Sequence, residues 1–315
     1  MDYLPIPEAA ARQLIDSMTI FNECVRVRGE ARSYAGGMYW KRQGKYEYLV
    51  KTAGRRQQIL GRRDPTSEAM YAQFSQRKAA LQARLEPLEQ ELEKAQRLNK
   101  AVRAGRVPSL AVSVLQALED ADIGKHFVVV GTYALYAYEA AAGVRVVPEA
   151  LATQDVDLLG DARKRVQFIA DLNKLGTSVL KILQRVDASF ERKQTQGETA
   201  INDRGFEVDF IRRVPEGDDP HPFRFSSDEA DLWPIQANRA SVLTSAPRFE
   251  QVVVSVTGRM ALMRTIAPGS FVQFKRWMGR EVPDREPIKR QRDLRQAAIV
   301  DAMLKEGILQ DDSAA

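Results

Sequence analysis

Three aspartates stand at spacings that could bring their carboxylates together. Asp155 and Asp157 lie two residues apart in the β-prone run TQDVDLL, and Asp209 lies in FEVDFIR. Side chains two apart on a strand project from the same face, so Asp155 and Asp157 are predicted to point the same way. Clustered carboxylates repel each other unless a cation lies between them, and carboxylate oxygens suit Mg²⁺. With Asp209 on a neighbouring strand, the set predicts a two-metal site of the kind that supports displacement at phosphorus.

The segment that precedes these acids fits the same chemistry. The apolar run 126–130 predicts a buried strand, Gly131 and Thr132 end it, and the run 133–142 has helical character. Glycine lets phosphate oxygens approach the backbone, and a helix N-terminus offers free N–H groups and a favourable dipole. The sequence therefore predicts a phosphate-binding turn at Gly131 and Thr132, where the hydroxyl of Thr132 adds a further contact.

This order of motifs resembles the nucleotidyltransferase fold superfamily, the polymerase-beta-like enzymes. Their pattern is Gly-Gly/Ser, then Asp-x-Asp/Glu, then a third acid, and Thr132 replaces the second residue of the Gly-Gly/Ser pair here. The chain resembles a bacterial family of stand-alone proteins with this fold, related to the abortive-infection toxin nucleotidyltransferases. The segments that carry the likeness are YWKRQGKYEYLVK, GTYALYAY, TQDVDLL, EVDFIRR, IAPGSFVQFKRW and PIKRQRDLRQA.

The resemblance implies an α+β fold with a mixed sheet, flanking helices and a helical C-terminal part. The N-terminal region adds a helix, a small basic β-sheet and a long helix. We expect three parts: an N-terminal region over 1–108, a nucleotidyltransferase core over 109–215, and a hairpin with helices over 216–315. The C-terminal helices are predicted over 269–279 and 287–306, after a hairpin that turns at Thr257 and Gly258.

The implied reaction transfers NMP from an NTP, such as ATP, to an acceptor hydroxyl and releases pyrophosphate. Asp155, Asp157 and Asp209 would bind two Mg²⁺ ions, or Mn²⁺, and Asp209 would also take the proton of the acceptor hydroxyl. Asp209 has a simpler alternative, an ion pair with Arg212 or Arg213.

The resemblance also implies cations that face the donor nucleotide. Lys275 in FVQFKRW and Lys289 in PIKRQRDL fall at the matching positions, and Gly131 and Thr132 would hold the phosphates. Fixed cations stabilise the charge that develops on the transferred phosphates. The alternative for Lys289 is a basic helix face exposed to solvent.

The N-terminal third carries the excess positive charge. Residues 1–110 hold 20 Lys+Arg against 12 Asp+Glu, and 38–63 hold eight basic residues against the single acid Glu47. The pattern predicts strands over 38–43, 45–52 and 56–60 with interleaved aromatic residues. Such a sheet can bind nucleic acid, although a solvated hairpin is the alternative. The proposed nucleic-acid-binding residues are Lys41, Arg42, Lys45, Arg55 and Arg56.

A long helix is predicted to follow this sheet. Asp64 and Pro65 give a helix start, the helix would run to about Val102, and Pro87 is expected to kink or break it. Its apolar stripe favours one wall of a helical hairpin with residues 6–34 over an open oligomerisation seam. Residues 103–109 are predicted to form a linker.

Composition favours a soluble cytoplasmic protein. The chain has 315 residues, a single cysteine, Cys24, and a net charge of +5. It lacks the run of roughly 20 apolar residues that a membrane span needs, and its N-terminus lacks the features of a signal peptide.

The sequence leaves several properties undetermined. The acceptor is an RNA such as a tRNA 3′ end, a protein hydroxyl or a small molecule. The nucleotide, the oligomeric state and an antitoxin partner are undetermined. A catalytically silent protein that binds nucleic acid or another partner on the same scaffold is the alternative function, although the presence of all three acids argues against it.

Overall fold

The computed structural model describes most of the chain, in the ranges 2–53, 56–153, 155–160, 165–212, 225–226, 228–236 and 240–312. The chain divides into two compact units. The small unit is Arg12–Val102, and the large unit combines Met1–Ala11 with Arg103–Ala315. The expected three-part division at 108/109 and 215/216 stays a prediction. None of the described helices combines the length and the apolar character that a membrane crossing needs.

The N-terminal elements follow the predicted order of helix, small sheet and long helix. They are β1 (Tyr3–Pro5), α1 (Glu8–Arg32), β2 (Gly37–Gln43), β3 (Tyr46–Ala53), β4 (Arg56–Arg62) and α2 (Pro65–Ala101). Strands β2, β3 and β4 form an antiparallel sheet in that order, with an irregularity between Leu49 and Val50. The three predicted strands are therefore present.

Helix α2 begins where the sequence predicts. The Asp64 side chain accepts a hydrogen bond from the Ser67 backbone N–H (2.7 Å), and the Ser67 hydroxyl accepts one from the Asp64 N–H (2.9 Å). This reciprocal cap satisfies two backbone donors, and Pro65 needs none at the first helical position. Of the two outcomes predicted at Pro87, a kink or a break, the break is wrong, because one helix continues through Pro87 to Ala101. The kink stays a prediction. A proline removes a single backbone hydrogen bond, and neighbouring packing can hold the helix together.

Helices α1 and α2 form the predicted hairpin within the small unit. Gln13 donates to the Ala95 carbonyl (3.4 Å), and Arg28 forms an ion pair with Glu89 (2.8 Å), so the helices run antiparallel. Apolar residues of both helices are buried: Phe21, Cys24, Val27, Phe74, Leu81, Leu92 and Ala95. The stripe of α2 is therefore a wall of this hairpin.

The large unit holds the remaining elements. They are α3 (Ser109–Asp120), β5 (Phe127–Val130), α4 (Ala134–Ala142), β6 (Val144–Val146), α5 (Pro148–Leu151), β7 (Asp155–Gly160), α6 (Arg165–Leu175), α7 (Val179–Val186), β8 (Glu191–Arg192), β9 (Thr199–Ile201), β10 (Glu207–Arg212), β11 (Ile235–Gln236), α8 (Ala240–Ser245), β12 (Arg248–Val254), β13 (Met260–Ile266), α9 (Pro268–Arg280) and α10 (Pro287–Lys305). The predicted C-terminal hairpin and two helices are β12, β13, α9 and α10.

The central sheet of the large unit is mixed. Its strand order is β5-β7-β10-β9-β8, and β11 also pairs with β10. Strands β7 and β10 are parallel, whereas β5 and β9 run antiparallel to their neighbours. The α+β class with a mixed sheet and flanking helices is confirmed.

The two faces of β7 and β10 differ in chemistry. Val156, Leu158, Val208 and Phe210 are buried on one face. Phe210 lies within a cluster of aromatic rings whose centroids are 5.2–5.8 Å apart, formed by Phe127, Phe168, Phe210 and Phe225. Because side chains alternate along a strand, the opposite face carries the aspartates.

The segment predicted as a linker, 103–109, is packed against the C-terminal hairpin. The Val107 N–H donates to the Val254 carbonyl (3.1 Å), and the Val256 N–H donates to the Val107 carbonyl (3.0 Å). A Cβ on Gly105 would lie 2.2 Å from the Val254 carbonyl oxygen, so glycine allows this close approach. The segment is thus part of the large unit.

Candidate functional site

The three predicted aspartates meet at the adjacent ends of β7 and β10. The parallel register pairs Asp157 with Asp209 and Asp155 with Glu207. One carboxylate oxygen from each of Asp155, Asp157 and Asp209 lies within 4.8 Å of the others. The Thr153 hydroxyl donates to Asp155 Oδ1. The cluster offers the hard oxygen ligands that Mg²⁺ and Mn²⁺ prefer.

Electrostatics at this cluster favour a bound cation. Burial, together with the negative charges of Asp155 and Asp209, raises the pKa of Asp157 from 3.8 to about 7. Lys275 and Arg285 act on the same pKa in the opposite direction. Burial also raises the pKa of Asp209. Three carboxylates in this setting hold negative charge at a cost, which a divalent cation would relieve.

Asp209 is oriented by a threonine on the adjacent strand. Thr199 is paired with Asp209 across β9 and β10, and its hydroxyl donates to Asp209 Oδ1 (2.5 Å). Arg212, an alternative ion-pair partner from the sequence, donates through Nε to the Pro234 carbonyl (3.1 Å). The other alternative, Arg213, lies outside the described residues. The hydrogen bond from the Thr199 hydroxyl therefore fixes one carboxylate oxygen of Asp209.

Gly131 lies directly against the carboxylate of Asp157. Val130, the last residue of β5, pairs with Asp157, and Gly131 turns the chain with φ of +67°. A Cβ at this position would lie 2.3 Å from Asp157 Oδ2, closer than real Cβ atoms approach. A short 3₁₀ turn over 131–133 then leads into α4. Glycine is therefore required both for the backbone conformation and for the space beside the carboxylate.

A glutamine on α10 holds the threonine of this turn. Gln296 Nε2 donates to Thr132 Oγ1 (3.2 Å) and to the Ala150 carbonyl (2.7 Å). Gln296 and Thr132 are both buried. One turn earlier, Arg292 donates to the Ala152 carbonyl (2.9 Å). Helix α10 thus anchors both the turn at Gly131 and Thr132 and the segment that enters β7.

The predicted Lys275 belongs to a buried charge network. Its Nζ lies 2.8 Å from Asp293 Oδ1, and Arg285 Nη2 lies 2.8 Å from Asp293 Oδ2. Lys275 and Asp293 are buried. Burial lowers the pKa of Lys275, whereas the charges of Asp293 and Asp157 oppose that shift. Asp293 therefore fixes two cations that act on the charge of Asp157.

Arg285, Asp293 and Gln296 were not predicted as site residues. Arg285 lies in the loop between α9 and α10, and that position carries no sequence pattern. Asp293 and Gln296 do carry a signal, because they share the helical stripe of the buried residues Val300 and Met303. A polar residue on an apolar stripe is buried, and buried polar groups need partners.

Lys289, the second predicted donor cation, lies in the first turn of α10. It forms an ion pair with Glu286 (3.2 Å), and 47% of its side chain is exposed. Its role at the donor nucleotide stays a prediction. The structure joins Lys275 to the acidic cluster through electrostatics, and no comparable link involves Lys289 among the described residues.

The predicted nucleic-acid-binding residues lie on the small sheet. Lys41 and Arg42 lie on β2, Lys45 lies in the turn before β3, and Arg56 begins β4. Arg55 lies outside the described residues. Lys41 and Arg42 are consecutive residues of β2, so their side chains project from opposite faces of the sheet.

Comparison with known proteins supports the chemistry of the cluster. Residues 109–314 match the model of a protein family described as Nucleotidyltransferase. The match covers more than half of the chain and includes the three aspartates, the turn at 131–132 and helices α9 and α10. No curated protein and no solved structure matches the chain.

Replacing Gly131 by alanine should separate metal binding from folding. The new Cβ would displace Asp157 Oδ2, so we expect Gly131→Ala to weaken Mn²⁺ affinity about 10- to 100-fold in calorimetric titration. Gly143→Ala is the matched control, because Gly143 has φ of +64° and nothing within 4 Å of its Cβ position. Both variants carry a backbone cost of about 1–2 kcal/mol. Equal Mn²⁺ affinities in the two variants would contradict this placement.

The metal-free protein should lose stability as pH rises towards 7. The folded state keeps the Asp157 proton up to a pKa of about 7, against 3.8 ordinarily, so it binds more protons than the unfolded state in between. The free energy of unfolding then falls with increasing pH over that window. Urea unfolding in EDTA should show this slope, and Asp157→Asn should flatten it. Parallel pH profiles of the parent and the variant would refute the assignment.

Proposed function

Because the chain belongs to the nucleotidyltransferase family, we propose that it transfers NMP from an NTP to an acceptor hydroxyl in a Mg²⁺-dependent reaction. The observation that carries the proposal is the convergence of Asp155, Asp157 and Asp209 within 4.8 Å, beside a glycine turn. The acceptor oxygen forms a bond to the α-phosphorus, and the bond to the β-phosphate oxygen breaks, so that pyrophosphate leaves.

The donor set fits divalent metal. Asp155 and Asp157 would hold two Mg²⁺ or Mn²⁺ ions, and Asp209 would hold one of them. When bound, such ions polarise the phosphoryl oxygens and activate the attacking oxygen. The raised pKa of Asp157 supports the assignment, since the chain supplies too little positive charge of its own to keep the cluster ionised.

Asp209 is our candidate for the group that takes the proton from the acceptor hydroxyl. Burial raises its pKa, and a raised pKa makes a carboxylate a better base near neutral pH. The Thr199 hydroxyl occupies one oxygen of Asp209, which leaves the other side of the carboxylate for the site.

Gly131 and Thr132 would hold the phosphates of the donor. The absence of a Cβ at Gly131 lets a phosphate oxygen approach the backbone, and the N-terminus of α4 favours its negative charge. Because Gln296 donates to Thr132 Oγ1, the hydroxyl hydrogen of Thr132 is directed elsewhere and can be donated to a phosphate oxygen. We therefore assign Gln296 the role of positioning this hydroxyl.

Lys275 and Arg285 would stabilise the charge that develops on the departing pyrophosphate. Asp293 fixes both, and both already act on the charge of Asp157. A preorganised cation lowers the energy of the transition state without rearranging during the reaction. Lys289 is retained as a third donor cation on the basis of the resemblance.

For the acceptor we propose RNA, such as a tRNA 3′ end. The excess of basic residues over 38–63 supports a polyanionic partner. A protein hydroxyl and a small molecule are the competing acceptors. The test is incubation with each α-labelled NTP, Mg²⁺ or Mn²⁺ and total cellular RNA. Label in RNA supports the proposal. Label in the protein fraction would identify a protein hydroxyl as the acceptor instead. Absence of transfer with every NTP would favour a catalytically inactive protein that keeps the fold.

Substitution of the aspartates should abolish transfer without unfolding the chain. Asp155→Asn, Asp157→Asn and Asp209→Asn each remove one charge from a repelling cluster, so the metal-free stability should be equal or higher. Glu191→Gln is the matched control, because Glu191 is an exposed acid on β8 of the same sheet. We expect full activity in the control and loss in all three variants. Parental NMP transfer by any of these three at saturating Mg²⁺ would remove that residue from the metal site.

The cations assigned to the donor nucleotide should affect binding and turnover of the NTP, and should leave affinity for the acceptor unchanged. Arg285→Gln removes a contact to a phosphate charge and should raise KM for NTP or lower kcat about 10- to 100-fold. Both cations pair with the buried Asp293, but the side chain of Arg285 is 23% exposed and that of Lys275 is 5% exposed. Arg285→Gln is therefore the milder change, because Lys275→Met leaves a gap in the buried part of the network and should destabilise the fold more. Lys289→Gln is measured in parallel. If KM and kcat are unchanged in a variant, that residue does not contact the donor nucleotide. Arg285 would then have a structural role, and Lys289 would be a solvent-exposed residue.

A further inference from the structure

The three-stranded sheet of the small unit packs one face against α2. We call the other the open face, because it exposes Tyr39 and Tyr46, although Val50 on the same face is buried. Side chains on the packed face contact α2: the Trp40 and Tyr71 rings are 5.8 Å apart, and Lys51 Nζ lies 5.8 Å from the Phe74 ring centre. The strand register pairs Trp40 with Leu49, which is also buried. Residues that alternate with these therefore project from the other face.

The open face carries tyrosines across adjacent strands. The register places Tyr39 and Lys41 of β2 beside Val50 and Tyr48 of β3, and Tyr46 is the next residue on the same face. Tyr39 is 37% exposed and Tyr46 is 49% exposed. Exposed aromatic rings offer flat apolar area on which other rings can stack.

The charge of this face is entirely positive. Lys41 lies on it, and Arg62 joins it from β4, where it pairs with Tyr48. The single acid of residues 38–63, Glu47, projects from the packed face and forms an ion pair with Arg63 (2.7 Å). The open face therefore combines cations with aromatic rings and contains no carboxylate from this segment.

One contact shows how these groups combine. The Arg62 guanidinium lies over the Tyr46 ring, with Cζ 3.6 Å from the ring centre. A guanidinium stacked on a tyrosine keeps its N–H groups at the edge of the stack, where they can meet phosphate oxygens. The pair is thus a preformed element for a ligand that has both flat rings and phosphates.

We propose that this open face, formed by Tyr39, Lys41, Tyr46, Tyr48 and Arg62, binds single-stranded RNA. Bases would stack on the tyrosines, and Lys41 and Arg62 would neutralise the backbone phosphates. A duplex keeps its bases stacked inside, so it would use the cations and leave the tyrosines without a role. An acidic peptide would likewise leave the rings unused.

The inference extends the proposed RNA acceptor, but it concerns binding, which is measured without NTP. Labelled single-stranded RNA, single-stranded DNA and duplex RNA are titrated with the full chain by fluorescence anisotropy at several salt concentrations. We expect single-stranded RNA to bind most tightly. Tighter binding of single-stranded DNA or of duplex RNA would overturn the proposal. NMP transfer is assayed separately, so a failure of catalysis and a failure of this surface give different results.

Two sets of variants test the two kinds of contact. Tyr39→Ala with Tyr46→Ala should weaken binding of single-stranded RNA about 10- to 100-fold, and Tyr39→Phe with Tyr46→Phe should restore it, because the phenyl ring still stacks. Affinity unchanged by the alanine pair, or loss in the phenylalanine pair as well, would exclude stacking.

Charge removal has a distinct signature. Lys41→Gln with Arg62→Gln should reduce the slope of log affinity against log salt by about 1.4, since each phosphate contact on a single strand contributes about 0.7. Lys94→Gln with Arg97→Gln is the matched control, because these residues lie on α2 with side chains 63% and 79% exposed. Equal slopes in the two double variants would show that general positive charge attracts the RNA, and would overturn the assigned surface.

Discussion

The repulsion among Asp155, Asp157 and Asp209 is the constraint around which the large unit is arranged. Three carboxylates within 4.8 Å stay together only because the strands that bear them are fixed by other interactions. The apolar faces of β7 and β10 supply that restraint, since Val156, Leu158, Val208 and Phe210 are buried opposite the acids. A slip of one residue would exchange the two faces, so the hydrophobic core determines the register and the register determines the acidic cluster.

The C-terminal helices and the loop between them supply positive charges that offset this repulsion. Lys275 and Arg285 lower the pKa of Asp157, and Asp293 holds both cations by hydrogen-bonded ion pairs. Burial lowers the pKa of Lys275, and the negative charge of Asp293 opposes that shift. Gln296 and Arg292 on the same helix secure the Thr132 turn and the Ala152 carbonyl. Helix α10 is therefore a scaffold for the site more than a solvated basic face.

Local sequence patterns predicted the helices and strands. The residues that support the site were harder to predict, because their contacts join distant parts of the sequence. Alternation along TQDVDLL and FEVDFIR gave the strands and the shared face of the acids, and Asp64 with Pro65 gave the start of α2. The pairing of Lys275 with Asp293 depends on how two helices pack, and the contact of Gln296 with Thr132 joins residues 164 apart. Pro87 shows the reverse failure, since a strong local signal for a break does not interrupt the helix.

In both sheets, alternate side chains of a strand project from opposite faces, and one face carries charged residues: carboxylates in the large unit and cations in the small unit. In the large unit the period of two separates a hydrophobic face from carboxylates, and in the small unit it separates the contacts of α2 from tyrosines and cations. The sequence showed the charge excess over 38–63 but not its division between faces, because Arg42 and Lys51 fall on the packed side while Lys41 and Arg62 fall on the open side. Counting charges therefore identifies a basic segment, whereas the strand register identifies which of its residues share a face.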